Sequence, residues 1–245
     1  MTYHWTNESS NPNDTALRHA RSSRIRSVTA ETTVDRIDLI CNLAKGRSVL
    51  DVGCVSHEVE SEKSEEWLHR KIADCAARCV GVDILEEGVS ELREKGYNVS
   101  LHDLALSPMD QCFDLIVCGE IIEHLPQPGP FMENCGKSLE VGGKMVITTP
   151  YPWFLGTVLR NMIRGSYLSG SMDHVAWFDP ATITEICDRH GFTLRDIRGI
   201  NPMPSEKAGG LQELIYKAIR ARLVPFISPL SGCRSLLYLL EKTER

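Results

Sequence analysis

Ser48-Val49-Leu50-Asp51-Val52-Gly53-Cys54 is a short apolar run that ends in an acid and then breaks at a glycine. This pattern predicts a buried strand of a parallel α/β sheet, with its carboxyl end delivered to a ligand crevice. At that end Asp51 orients the turn, and Gly53 lets the backbone approach a ligand with no Cβ in the way. A second apolar run, Cys79-Val80-Gly81-Val82-Asp83-Ile84, also ends in an acid. Nucleotide-binding α/β folds grip ribose hydroxyls with a carboxylate at the tip of the second strand. The two tips together predict a nucleoside-containing cofactor.

Outward from this centre, apolar periodicity predicts strands at 48–52, 79–83, 97–101, 113–118, 144–149, 192–200 and 235–240. Helices are expected at 32–43, 60–77, 86–95, 128–139 and 180–190. Such alternation implies a doubly wound, mostly parallel α/β sheet. Residues 1–33 are polar and read as an N-terminal arm, partly disordered, ahead of a single domain over 34–245. Two segments, 151–178 and 203–234, break the rhythm and are expected to overhang the strand tips as lids.

The chain has 245 residues, 42% hydrophobic and 24% charged, enough for one well-buried α/β domain. Its nine cysteines are odd in number and scattered, which favours reduced thiols and a cytoplasmic protein over a disulfide framework. No apolar run reaches the length of a membrane span. The net charge of −6 counts against nucleic acid as a partner, although the arginines at 18, 21, 24 and 26 form a small basic arm suited to phosphates.

A dinucleotide needs three spaced glycines to seat its pyrophosphate, and the turn Gly53-Cys54-Val55-Ser56-His57 has one. A cofactor with one nucleoside and no phosphate, such as S-adenosylmethionine (SAM), makes smaller demands. Four segments in order carry a resemblance: Val-Leu-Asp-Val-Gly-Cys, Val-Gly-Val-Asp-Ile, Phe-Asp-Leu-Ile-Val-Cys-Gly-Glu-Ile-Ile-Glu-His-Leu, and Leu-Glu-Val-Gly-Gly-Lys-Met-Val-Ile-Thr-Thr-Pro. From about residue 47 to about 200 the chain resembles the class I SAM-dependent methyltransferases, nearest the ubiquinone-biosynthesis O-methyltransferase branch.

The resemblance implies a Rossmann-like sheet of seven strands, the last antiparallel. It also implies that Asp51, Gly53 and Cys54 border the methionine portion of SAM and that Asp83 takes the ribose hydroxyls. Ile84 would pack on adenine, Asp103 and the Leu104 amide would meet its edge, and Glu120 would face the reacting end. Val55 and Ser56 stand where the family usually has a second glycine, a departure that would shift the loop or weaken cofactor affinity.

A hydroxyl acceptor needs a base within hydrogen-bond reach. Glu120, Glu123 and His124 fall one helical turn apart, and His174 lies in the first lid segment. His124 or His174 is the expected base, with Glu123 beside it. A sharper variant, not favoured, has Glu120, Glu123, His124 and His174 holding one divalent cation. Aromatic and methionine residues in 151–178 point to a small-molecule or lipid-like acceptor. The apolar stripe through 211–223 suits either packing on the sheet, the favoured reading, or peripheral membrane contact. An RNA 2′-O-methyltransferase with a divalent metal and a non-catalytic SAM-binding protein are the rivals.

Overall fold

The computed structural model describes residues 11, 14–55, 67–165, 172–202 and 228–243. From the amino end the elements are α1 (Thr15–Val28), β1 (Thr29–Thr33), α2 (Arg36–Ala44), β2 (Ser48–Val52), α3 (Leu68–Cys75), β3 (Arg78–Asp83), α4 (Glu86–Glu94) and β4 (Val99–Leu101). They continue with β5 (Phe113–Gly119), α5 (Pro128–Lys137), β6 (Leu139–Pro150), α6 (Leu155–Arg164), α7 (Pro180–His190), β7 (Phe192–Pro202) and β8 (Cys233–Lys242).

The strands form one sheet in the order β1-β7-β8-β6-β5-β2-β3-β4. β8 runs antiparallel to both β6 and β7, and the remaining pairs are parallel. Strand order reverses between β2 and β5, the point at which an open α/β sheet leaves a crevice outside its carboxyl ends. Because successive side chains alternate faces, Leu50 and Ile116 join Phe131, Met132 and Ile183 on one side of the sheet. Val49, Leu115 and Val117 join Ile40 and Ile72 on the other. Both faces are therefore covered by helices, which is why β2 and β5 read as continuous apolar runs.

The doubly wound sheet with a reversed last strand matches the expectation; the amino-terminal portion does not. The expected loose arm over 1–33 is, from residue 15 onward, a helix and an eighth strand, with β1 paired in parallel to β7. Asp14 caps α1 by accepting from the Ala16 and Leu17 N–H groups. Arg21 pairs with Glu185, and Arg24 meets Asp188 at 2.7 Å, so half of the basic arm that would have suited phosphates is engaged by α7. No residue of α1 is fully buried and arginines interrupt its inward side, so its apolar periodicity is hard to read; Ile25 and Val28 pack on the core while the arginines pair with α7.

Smaller differences follow from local chemistry. The helix expected at 32–43 begins at Arg36, because Asp35 caps it through the Asp38 N–H and β1 takes the residues before. The helix expected at 60–77 is described from Leu68 to Cys75. Ser56 and the stripe at 211–223 lie outside the described residues, as does the second lid segment before residue 228.

Candidate active site

A cleft of about 1130 Å³ opens at the carboxyl ends of β2, β3 and β5. All the residues singled out from the sequence line it: Asp51, Gly53, Cys54, Asp83, Ile84, Asp103, Leu104, Glu120, Glu123, His124 and His174. Gly53 sits at φ 75°, and a Cβ there would lie 2.3 Å from Ile121 Cδ1, so the turn after β2 admits only glycine. The N–H groups of Gly53 and Cys54 donate to the Val82 carbonyl, which ties this turn to the neighbouring strand tip.

Asp83 is buried, and each of its oxygens already accepts one backbone N–H, from Leu85 at 3.0 Å and from Val55 at 2.9 Å. Each carboxylate oxygen keeps a second lone pair for a ligand hydroxyl. Next to it Ile84 is 66% exposed, a large apolar side chain left uncovered at the rim. Asp103 accepts from the Ala105 N–H, and Asn134 Nδ2 donates to the Leu104 carbonyl, fixing this wall. Burial pushes the Cys54 thiol well above its ordinary value, so it serves as packing and not as a nucleophile.

At the other end a 3₁₀ turn, Ile122–His124, follows β5. Glu120 enters that turn with φ 58°, the one non-glycine residue in the left-handed region among those described. Burial pushes its carboxyl up, opposed by the charge of Arg36, and Oε1 has no hydrogen-bond partner among the described residues. Glu123 is 1% exposed; Oε2 accepts from Thr149 Oγ1 at 3.0 Å and Oε1 has no partner. Burial and then the neighbouring Glu120 raise its pKa to about 7.

The Glu123 carbonyl accepts the N–H groups of Val175 and Ala176, which ties the segment before α7 to the turn. That contact delivers His174 to His124, ring centroids 4.8 Å apart in an edge-to-face arrangement. His124 Nδ1 lies 3.0 Å from Asp173 Oδ2. His174 Nδ1 is buried without a partner, and burial followed by the neighbouring His124 lowers its pKa. Donor atoms of Glu123, His124 and His174 lie within 4.8 Å of one another; Glu120 is not part of that set.

Among the cleft residues that were not singled out from the sequence are Arg36, Trp67, His69 and Asp173. Arg36 is the first residue of α2, and its place at the strand tips depends on the packing of that helix. His69 sits two residues after Trp67, and only the fold brings it to Asp51, 2.9 Å away.

Asp51, Asp83 and Asp103 line the cleft at the tips of β2, β3 and β4, where three acids would repel a pyrophosphate and suit a phosphate-free adenosyl group carrying a sulfonium cation. Comparison with known proteins agrees. The family described as "Methyltransferase domain" matches residues 17–197. The ubiquinone biosynthesis O-methyltransferase of Coxiella burnetii is 28% identical over 172 residues, covering 65% of this chain and 69% of that one. Among solved structures, a SAM-dependent methyltransferase from Archaeoglobus fulgidus superposes with a TM-score of 0.55 at 18% identity, covering 94% of this chain and 100% of that one. Magnesium protoporphyrin IX methyltransferase from Synechocystis, solved with S-adenosylhomocysteine (SAH), gives 0.55 at 16% identity, with coverage of 93% and 95%. The chain belongs to the methyltransferase-domain family. Within it, this is a class I SAM-dependent methyltransferase near the ubiquinone-biosynthesis branch.

Proposed function

We propose that the cleft transfers a methyl group to a hydroxyl of an amphipathic acceptor: a small molecule, a lipid or a glycan precursor. SAM, when bound, supplies an electrophilic methyl group on sulfur. In this reading Asp83 accepts from the ribose hydroxyls, Ile84 covers adenine, and Asp103 with Leu104 meets the adenine edge. Asp51, Gly53 and Cys54 border the methionine portion, and Arg36, the cleft's arginine, pairs with its carboxylate. Glu120 faces the reacting end.

His174 is held by the lid contact with its Nδ1 unpartnered and its pKa lowered, so it is neutral near pH 7 and able to take the acceptor's proton. His124, held by Asp173, lies beside it to share that role, and Glu123 fixes the lid through its carbonyl. The observation that carries the reading is this convergence of Glu123, His124 and His174 at the mouth of the same cleft as Asp83. The O-methyltransferase names of the relatives support transfer to oxygen. Nine free cysteines, five of them buried, support a cytoplasmic setting.

A second reading rests on the same convergence. The orphaned oxygens of Glu123 and Glu120 and the orphaned Nδ1 of His174 fit a divalent cation held by Glu123, His124 and His174 with Glu120 alongside. Such an ion would polarise the acceptor hydroxyl.

Incubation with methyl-labelled SAM and fractionated cell extract tests the assignment, with SAH calorimetry beside it. Label should enter an extractable small-molecule or lipid fraction, and Asp83→Ala should raise the SAH Kd about tenfold or more through two lost ribose hydrogen bonds. Tight SAH binding with no acceptor labelled in any fraction would make the protein a non-catalytic SAM binder. Unchanged affinity in Asp83→Ala would remove the cofactor placement.

A further inference from the structure

Trp67 and His69 stand outside the roles given above, and the fold places both at the cofactor turn. Trp67 occupies the N-cap position of α3 and has no side-chain cap bond there, so its ring is used elsewhere. The indole N–H donates to the Cys54 carbonyl at 3.2 Å. His69, 2% exposed, has Nδ1 2.9 Å from Asp51 Oδ2. One hydrogen bond joins the pair, and the carboxylate can take its accepting side with the Nδ1–H donating. The rings of Trp67, His69 and Tyr97 pack on one another with centroids 5.0–5.8 Å apart, which fixes the imidazole from the side.

β3 is shaped around this group. A Cβ at Gly81 would lie 2.6 Å from His69 Cε1 and 2.8 Å from Cys54 Sγ, so the strand has no side chain where the imidazole and the thiol sit. The turn itself is held at its far end by Val55. The Val55 N–H donates to Asp83 Oδ2, and a Cβ at Gly88 would lie 2.4 Å from Val55 Cγ1. Val55 is thus an anchor on α4 where a glycine would have been free to move.

We infer that Trp67 and His69 are positioning residues for the cofactor: they hold Asp51 and the Gly53–Val55 turn in the shape that receives the methionine end of SAM. They do from outside the loop what further glycines would do within it. His69 commits one Asp51 oxygen and fixes the carboxylate's rotation, so that the other oxygen is the one presented to the cofactor's ammonium. The inference rests on the SAM reading of the cleft.

SAH calorimetry on the full chain tests it, with melting curves for each variant and steady-state kinetics in SAM. His69→Leu should raise Kd about tenfold or more, whereas His69→Asn, whose amide N–H can replace the Nδ1 donor, should stay within about threefold of wild type. Trp67→Phe keeps the ring and loses the bond to Cys54, and a rise of about three- to tenfold is expected. The kinetic change should fall on KM for SAM more than on kcat. Gly81→Ala crowds the imidazole together with the Cys54 thiol and Val99, and should also raise Kd; read beside His69→Asn, it decides the matter if His69→Leu does not fold. Wild-type affinity in a folded His69→Leu or Gly81→Ala protein would overturn the inference, as would an Asn variant no better than Leu. Wild-type protein that binds no SAH would overturn the cofactor placement together with it, whereas tight wild-type binding confines a failure to His69 and Trp67.

Discussion

Glu123 is an acid that the folded chain holds in its protonated form more readily than the unfolded chain does. Its pKa rises from 4.5 to about 7 through burial and the neighbouring Glu120. A carboxyl whose folded value lies above its unfolded value contributes stability that is complete below 4.5 and is lost as pH rises toward about 7. Glu123→Gln should therefore stabilise the chelator-treated protein by roughly 1–3 kcal/mol at about pH 8, with the gain gone by about pH 4. Melting curves across pH read this; methyl transfer should survive in the variant if Glu123 acts through its carbonyl, and should be largely lost if its side chain holds a cation. If a cation sits at the cluster, manganese should raise the melting temperature of wild type and not of Glu123→Gln; equal curves with and without manganese in wild type would remove the cation. At this scale Asp51, Gly53 and Asp83 were legible because a strand ending in an acid and a glycine fixes where those residues sit. Arg36 and His69 were not, since nothing within several residues of either announces a cleft.

The element that the sequence misread is α1. With no fully buried residue and two arginines on its inward side, it shows only a weak apolar stripe; Ile25 and Val28 pack on the core, and Arg21 and Arg24 add ion pairs to α7. Burial alone would raise the Glu185 carboxyl, yet hydrogen bonds from Arg189 and Arg21 outweigh it and hold the group below 4.5. A depressed folded value gives stability that is present above 4.5 and is lost as pH falls through the folded value. Glu185→Gln should lower the urea midpoint near neutral pH by an amount worth about 0.5–1 kcal/mol, since the half-buried pair is still partly screened by solvent. The gap between variant and wild type should close on acidification; a gap that persists at about pH 3 would mean that packing, not charge, joins α1 to α7. Strands and capped helices were far easier to anticipate. Gly191 at φ 77° ends α7 as its sequence predicts, and the Asp179 capping box starts it.

Across the whole molecule, apolar surface gathers on the segment after β6. Trp153, Met162, Ile163, Met172, Val175 and Trp177 are exposed there, beside the Asp173 and His174 that line the cleft mouth. α6 carries two arginines and no acid, in a chain of net charge −6. Among the described residues no helix is long and apolar enough to cross a membrane; an apolar surface flanked by arginines is suited to lying against an anionic bilayer. Vesicle flotation should show binding to anionic and not to neutral bilayers, and the double variant Met162→Asp, Ile163→Asp should abolish it. Wild type that stays at the bottom of the gradient with both lipids would leave a freely diffusing acceptor.

The chain's local chemistry was enough to determine the alternating sheet, the acids at its strand tips and the phosphate-free cofactor, because apolar runs, terminal acids and single glycines act over a few residues. Only tertiary structure decided that β1 and α1 belong to the sheet and that His69 faces Asp51. It also decided that the Glu123 carbonyl draws His174 onto His124 across about fifty residues of chain. Such contacts are set by how helices and lids settle on a finished sheet, and that geometry has no signature in the order of residues.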